Sequence, residues 1–264
     1  MQVHKLLPLA LLAAASAAHA DVSVVTTTAG KASFINVGGT STNLIKGNRM
    51  RTDSVMGSRN DSLLIDIDGR RFVSIDDNKK SATVTPLDSI REQLDKAGVG
   101  TIQATVTKTA QTKKVAGYNC TVHDVSVSLP FSVTGNPGDG MDLNLLLSGT
   151  VCLSTDAPGL ADYQQFYRAS ADSGFIFGDP RATKSPTGAA QAKAYAELTR
   201  KMAAAGMALE SHVTITASGN NPMAGMMAKL AASDITTTVT QITPGDLPAE
   251  KFDVPAGYKV KTQK

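Results

Sequence analysis

Alternating extended segments, punctuated by two-residue turn signals, constrain this chain more than any other feature. Residues 42–46 and 49–53 flank Gly47-Asn48, and residues 63–67 and 71–75 flank Asp68-Gly69. Such Gly-containing pairs between β-prone runs are strong hairpin signals, because they tolerate the positive φ that tight turns demand. Leu63, Ile65 and Ile67 recur at every second position, which sets them on one face of a strand. Asp76-Asp77-Asn78-Lys79 turns the chain again into residues 81–85, and residues 22–27 supply an earlier strand. The pattern predicts an antiparallel meander with polar turns.

The period then changes. Pro86 takes a tolerated first helical position, Leu87, Ile90, Leu94 and Ala97 share one stripe, and Gly98 ends the helix. Residues 101–107 return to a period of two through Ile102, Ala104 and Val106. Residues 118–129 and 141–153 make a long hairpin around residues 135–140. Asp156 is placed to cap a short helix carrying Leu160, Tyr163 and Phe166. Pro186 opens a longer helix to about Ala205, with Tyr195, Leu198 and Met202 aligned and Gly206 as its stop. Residues 209–217 and 235–242 add strands around an apolar insertion, and the chain closes on residues 252–258. Antiparallel strands with three separated helices, no linker and no repeat predict one α+β domain over residues 21–264.

Residues 1–20 read as a cleavable leader: a basic Lys5, an apolar run, then Ala18-His19-Ala20 as a signal-peptidase site. Cleavage after Ala20 would deliver the chain to the periplasm, and the apolar run is too short to cross a bilayer. Lys and Arg number 26 against 23 Asp and Glu, a balance too even for a nucleic-acid footprint. Cys120 and Cys152 are the only cysteines. In an oxidising compartment they read as a disulfide, and the long hairpin sets them nearly opposite each other.

Catalytic and metal signatures are weak. Asp66-x-Asp68-Gly69 lacks the closing acid of a calcium loop and reads as a turn. His123 and Asp124 are neighbours on a strand, so they point to opposite faces and do not orient one another. His212 reads as a solvated position. Met223, Met226 and Met227 fit soft Cu(I) ligation, an adaptable apolar flap, or ordinary packing. No nucleophile elbow or zinc-protease motif occurs. The expectation is no catalytic residue, no metal and no cofactor, hence no enzyme.

Four ordered motifs carry a resemblance: residues 45–51 (IKGNRMR), 113–120 (KKVAGYNC), 151–159 (VCLSTDAPG) and 252–258. Together they resemble the bacterial envelope proteins grouped as domain of unknown function 4412, a family similar to periplasmic lipoprotein carriers of the LolA/LolB type. The resemblance implies an antiparallel sheet curled into an open half-barrel, with helices covering its concave side and acyl chains entering between the layers. The Trp-rich strands of the true carriers are absent here, as is the lipid-anchor Cys of LolB.

The function expected is therefore a periplasmic, non-enzymatic binding protein for a lipid, lipoprotein or other apolar ligand, with no nucleic-acid partner and no transmembrane segment. The alternative is an envelope interaction or structural protein whose core is filled by its own side chains. Leu87, Ile90 and Leu94 on the first helix, and Tyr195, Leu198 and Met202 on the third, are expected to face the cavity. Arg51, with Arg49 on the same side of its strand, is expected as a polar anchor at the cavity mouth, since a guanidinium fork can clamp a carboxylate, phosphate or carbonyl. The plain alternative for Arg51 is a surface ion pair with Asp53.

Overall fold

The computed structural model describes residues 21–32, 35–96, 102–133, 141–173, 186–219 and 232–263. Residues 1–20, expected to be a leader, and Met223, Met226 and Met227 lie outside the described residues.

Six strands come first: β1 (Val22–Ala32), β2 (Ile35–Lys46), β3 (Arg49–Met56), β4 (Arg59–Asp66), β5 (Arg71–Asp76) and β6 (Ser81–Pro86). Helix α1 (Leu87–Lys96) leads to β7 (Gln103–Val115), β8 (Tyr118–Val133) and β9 (Met141–Ser154). Helices α2 (Leu160–Asp172) and α3 (Pro186–Ala205) follow, then β10 (Met207–Gly219), β11 (Ser233–Pro244), a 3-10 turn at Ala249–Phe252 and β12 (Lys259–Thr262). Among the described residues, all twelve strands belong to one open sheet in the order β12-β6-β5-β4-β3-β2-β1-β11-β10-β9-β8-β7. Every pairing is antiparallel except β12 with β6. The sheet curls enough for β11 to touch β7, although three strands separate them in the order.

The expected turns are present, with one change of detail. Gly47 adopts φ 55° between the paired residues Lys46 and Arg49. In the loop from β4 to β5 the left-handed residue is Arg70 (φ 49°), not Gly69. The Asp66 carboxylate accepts the Gly69 N–H at 2.8 Å and so shapes the turn from outside. The loop from β5 to β6 copies this design, with Asp76 accepting the Lys79 N–H at 3.0 Å and Lys80 at φ 46°. Side chain to backbone bonding by Asp is a common way to fix such turns.

At α2 the N-cap is Gly159, at φ 73°, and not Asp156. Asp156 instead accepts the Ser154 hydroxyl at 2.6 Å. A Cβ on Gly159 would stand 2.5 Å from the Val22 Cβ, so both the dihedral and the close approach of α2 to β1 require glycine there.

Three apolar clusters hold the layers. One joins Val22 and Val24 of β1, Ile45, Met50, Ile65 and Phe72 to Leu87 and Ile90 of α1 and Phe166 of α2. A second joins Val125, Val127, Leu145, Leu147 and Val151 of β8 and β9 to Ala194 and Leu198 of α3. The third lies on the other face of β4–β6, where Leu64, Val73, Ile75 and Ala82 pack under Phe252 of the C-terminal segment. This last layer has no counterpart in the sequence reading. Residues 245–258 cross the outer face as a strap before β12 pairs with β6.

Cys120 and Cys152 are bonded, with Cα atoms 5.3 Å apart. They lie on adjacent strands, Cys152 facing Val122 in the β8–β9 register, as the hairpin reading expects. Among the described residues no helix is long and apolar enough to cross a membrane.

Candidate functional site

Helix α3 runs against β7, β8, β9 and β10. Its residues Tyr195, Leu198 and Met202 are three and four apart, so they share one side of the helix. That side meets a pocket of about 240 Å³. The opposite wall is the sheet: Val125, Leu147 and Val151 from β8 and β9, with Ser211, Val213, Ile215, Ser233 and Ile235 from β10 and β11. Leu147 pairs with Ile215 and Ile215 with Ser233, forming one cross-strand row; Val213 and Ile235 form the next. Period two explains the choice of wall residues, since alternate positions of β10 turn to the same face.

Among the described residues the wall carries no acid or base ionisable at neutral pH. Its polar side chains are Tyr195, Ser211 and Ser233. Burial pushes the Tyr195 hydroxyl above its ordinary pKa, so it stays protonated and able to donate. The Ser233 Oγ is buried and has no hydrogen-bond partner.

Of the residues expected at a ligand site, Leu198 and Met202 lie in this wall. Leu87 and Ile90 are buried in the cluster under the helices, while the Leu94 side chain lies outside the described residues. Arg49 and Arg51 are elsewhere, and the expected cavity-mouth position is corrected for both. Met50 takes the helix-covered face, so the pleat turns both arginines to the face under the strap.

There Arg51 pairs with Asp53, Nε donating at 2.8 and 3.1 Å to its two oxygens. Its Nη1 also donates to the Lys251 carbonyl at 3.2 Å, and the side chain is only 14% exposed. Arg49 stacks over the Phe252 ring, 5.2 Å from its centroid. Asp21 accepts the Leu247 N–H at 2.8 Å and pairs with Lys46. Tyr258 donates to Asp77 at 2.8 Å. The IKGNRMR segment thus clamps the end of the chain. The ion pair with Asp53 is present, and the bond to Lys251 makes Arg51 a tie across two elements.

The two histidines among the described residues have different partners. His123 is buried, its Nδ1 2.9 Å from the Thr121 carbonyl oxygen. His212 is exposed, with Nε2 2.8 Å from Asp234. Among the described residues no group of three His, Cys, Asp or Glu stands close enough to hold a metal.

Beside the pocket, α2 contributes Tyr163 and Tyr167, ring centroids 4.3 Å apart. Burial raises both hydroxyls, Tyr163 to about 12 and Tyr167 well above its ordinary value. Folded protein therefore holds these protons more tightly than unfolded chain. Their contribution to stability is complete below about pH 10, the ordinary tyrosine value, and is lost as pH rises through about 12. Alkaline unfolding followed by circular dichroism should begin in that window. Tyr163→Phe should move its onset upward, and an unmoved onset would assign it to other groups.

No protein-family model matches the chain, and no curated protein matches it.

Proposed function

We propose that this chain is a non-enzymatic binding protein of the bacterial periplasm, holding a lipid, a lipoprotein acyl group or another apolar ligand between α3 and the curled sheet. The pocket walled by Leu198, Met202 and the β8–β11 strands carries the reading. Its volume of about 240 Å³ sits just under the common range for small-molecule sites, about 300–1,000 Å³. The fitting occupant is a short apolar group or one segment of a longer chain. Binding in place of catalysis is supported by the described lining of the wall, which offers hydroxyl groups and no acid or base.

The Cys120–Cys152 bond supports an oxidising compartment, and the ordered motifs support kinship with the lipoprotein-carrier half-barrel. The alternative, a structural envelope protein with a filled core, draws on α2, where Phe166, Tyr163 and Tyr167 already occupy the space against the sheet. Native mass spectrometry with lipid extraction, on protein purified from a bacterial periplasm, separates the two. A co-purifying lipid supports the first reading and its absence supports the second.

Substitution tests the location. Leu198 is 4% exposed, and Leu198→Asp should abolish uptake of N-phenyl-1-naphthylamine while circular dichroism still reports the sheet. Undiminished uptake in that folded variant would place the site away from α3.

A further inference from the structure

The hydroxyl of Ser233 is the odd atom of the pocket. It is buried with no partner, at the first residue of β11, in a row where its neighbours Ile215 and Leu147 are apolar. Buried polar groups in folded proteins are nearly always paired, and an unpaired one inside a ligand-sized space marks where a ligand's own polar atom belongs. A hydroxyl can donate to a carbonyl oxygen. Among the described residues the pocket wall contains no Lys, Arg or His, so from them an anionic carboxylate or phosphate would receive no counter-charge for its desolvation. A pure hydrocarbon would leave the hydroxyl as it is.

We propose that the pocket selects a neutral acyl group, an ester or amide, with Ser233 donating its hydroxyl hydrogen to the carbonyl oxygen while Leu198, Met202, Val213 and Ile235 enclose the chain. This inference rests on the pocket being a ligand site and adds which chemistry it accepts. Tyr195 lines the same space and stays protonated, so it adds a second neutral donor and no charge. For scale, a 150 Å³ apolar cavity holds benzene, so a space of this size takes roughly ten non-hydrogen atoms.

Isothermal titration at pH 8 with methyl heptanoate, heptanoate and n-butylbenzene tests the assignment on wild-type protein and on Ser233→Ala. Wild type should bind the methyl ester at least tenfold more tightly than heptanoate. Ser233→Ala should weaken ester binding by about three- to tenfold, the worth of one hydrogen bond, and leave n-butylbenzene unchanged. Equal affinity for ester and carboxylate, or an ester affinity untouched in Ser233→Ala, would overturn the acyl assignment while leaving an apolar site in place. Failure of both the ester and n-butylbenzene to bind wild type would overturn the ligand site itself, and this inference with it.

Discussion

Phe252→Ala should be among the most damaging single substitutions in the chain, costing about 3–5 kcal/mol, the usual range for emptying a buried aromatic site. Phe252 is fully buried, packs on Leu64, Val73, Ile75 and Ala82 and lies beneath the Arg49 guanidinium. Its loss uncovers an apolar face of β4–β6 and removes the cation–π contact at the same time. The strap's polar ties, from Arg51 to Lys251, from Asp21 to Leu247 and from Tyr258 to Asp77, are partly exposed, and Leu247, Val254 and Tyr258 are only partly buried against the cluster, so they compensate little. Urea denaturation should show the lowered midpoint, and limited proteolysis should show cleavage within residues 245–258 that wild type resists. A Phe252→Ala variant within 1 kcal/mol of wild type, a cost flagged only as about that size by single-site surveys, would make the strap an ornament of the fold.

Removing the disulfide should cost a similar amount. Cys120 and Cys152 are 32 residues apart, and a loop of that size restricts the unfolded chain by about 3–4 kcal/mol in the chain-entropy account. The paired substitution Cys120→Ser with Cys152→Ser should therefore lower the thermal midpoint by many degrees. Both sulfurs are buried beside Val122, so two serine hydroxyls in their place add a desolvation cost. Comparing the double variant with the reduced wild-type protein separates the two contributions, because only the variant buries hydroxyls. Equal stability of all three forms would show that the β8–β9 pairing needs no cross-link.

The strands read most easily were those with unbroken alternation and a named turn. Leu63, Ile65 and Ile67 gave β4 and its return, and Tyr195, Leu198 and Met202 gave the packed side of α3. Misreadings had local causes. Residues 35–41, in the first half of β2, include Gly38 and Gly39, and glycine weakens a strand signal without preventing pairing. The second half of β7 is hidden by a register shift between Lys108 and Thr112, which breaks the period of two. Strand β12 has four exposed residues, Lys259 to Thr262, and no apolar pattern to announce it. Half of the pocket was visible as the stripe on α3. The other half, Val213, Ile215, Ser233 and Ile235, depends on which strands β10 and β11 sit beside, and pairing between distant strands is not written locally. The face of Arg51 is not legible locally: the buried Met50 beside it decides the pleat, and only the tertiary packing shows which face Met50 takes.

The position of β1 has a consequence for how the protein comes to exist. Its two neighbours are β2, next in the chain, and β11, more than 200 residues later, with Val22 opposite both Ile45 and Pro244. A chain interrupted anywhere before Ser233 therefore presents the whole flank of an eleven-residue strand with nothing to bond to. Open flanks of that kind recruit other chains. Contacts this distant also slow folding, because the intervening loop must close before they form. The polar and small residues of the later half of β1, Thr26, Thr27, Thr28, Ala29 and Gly30, offer little apolar surface and make its flank a poor adhesive during that wait. The molecule thus depends on its last quarter to seal its first strand, and damage near the carboxyl end is felt at the centre of the sheet.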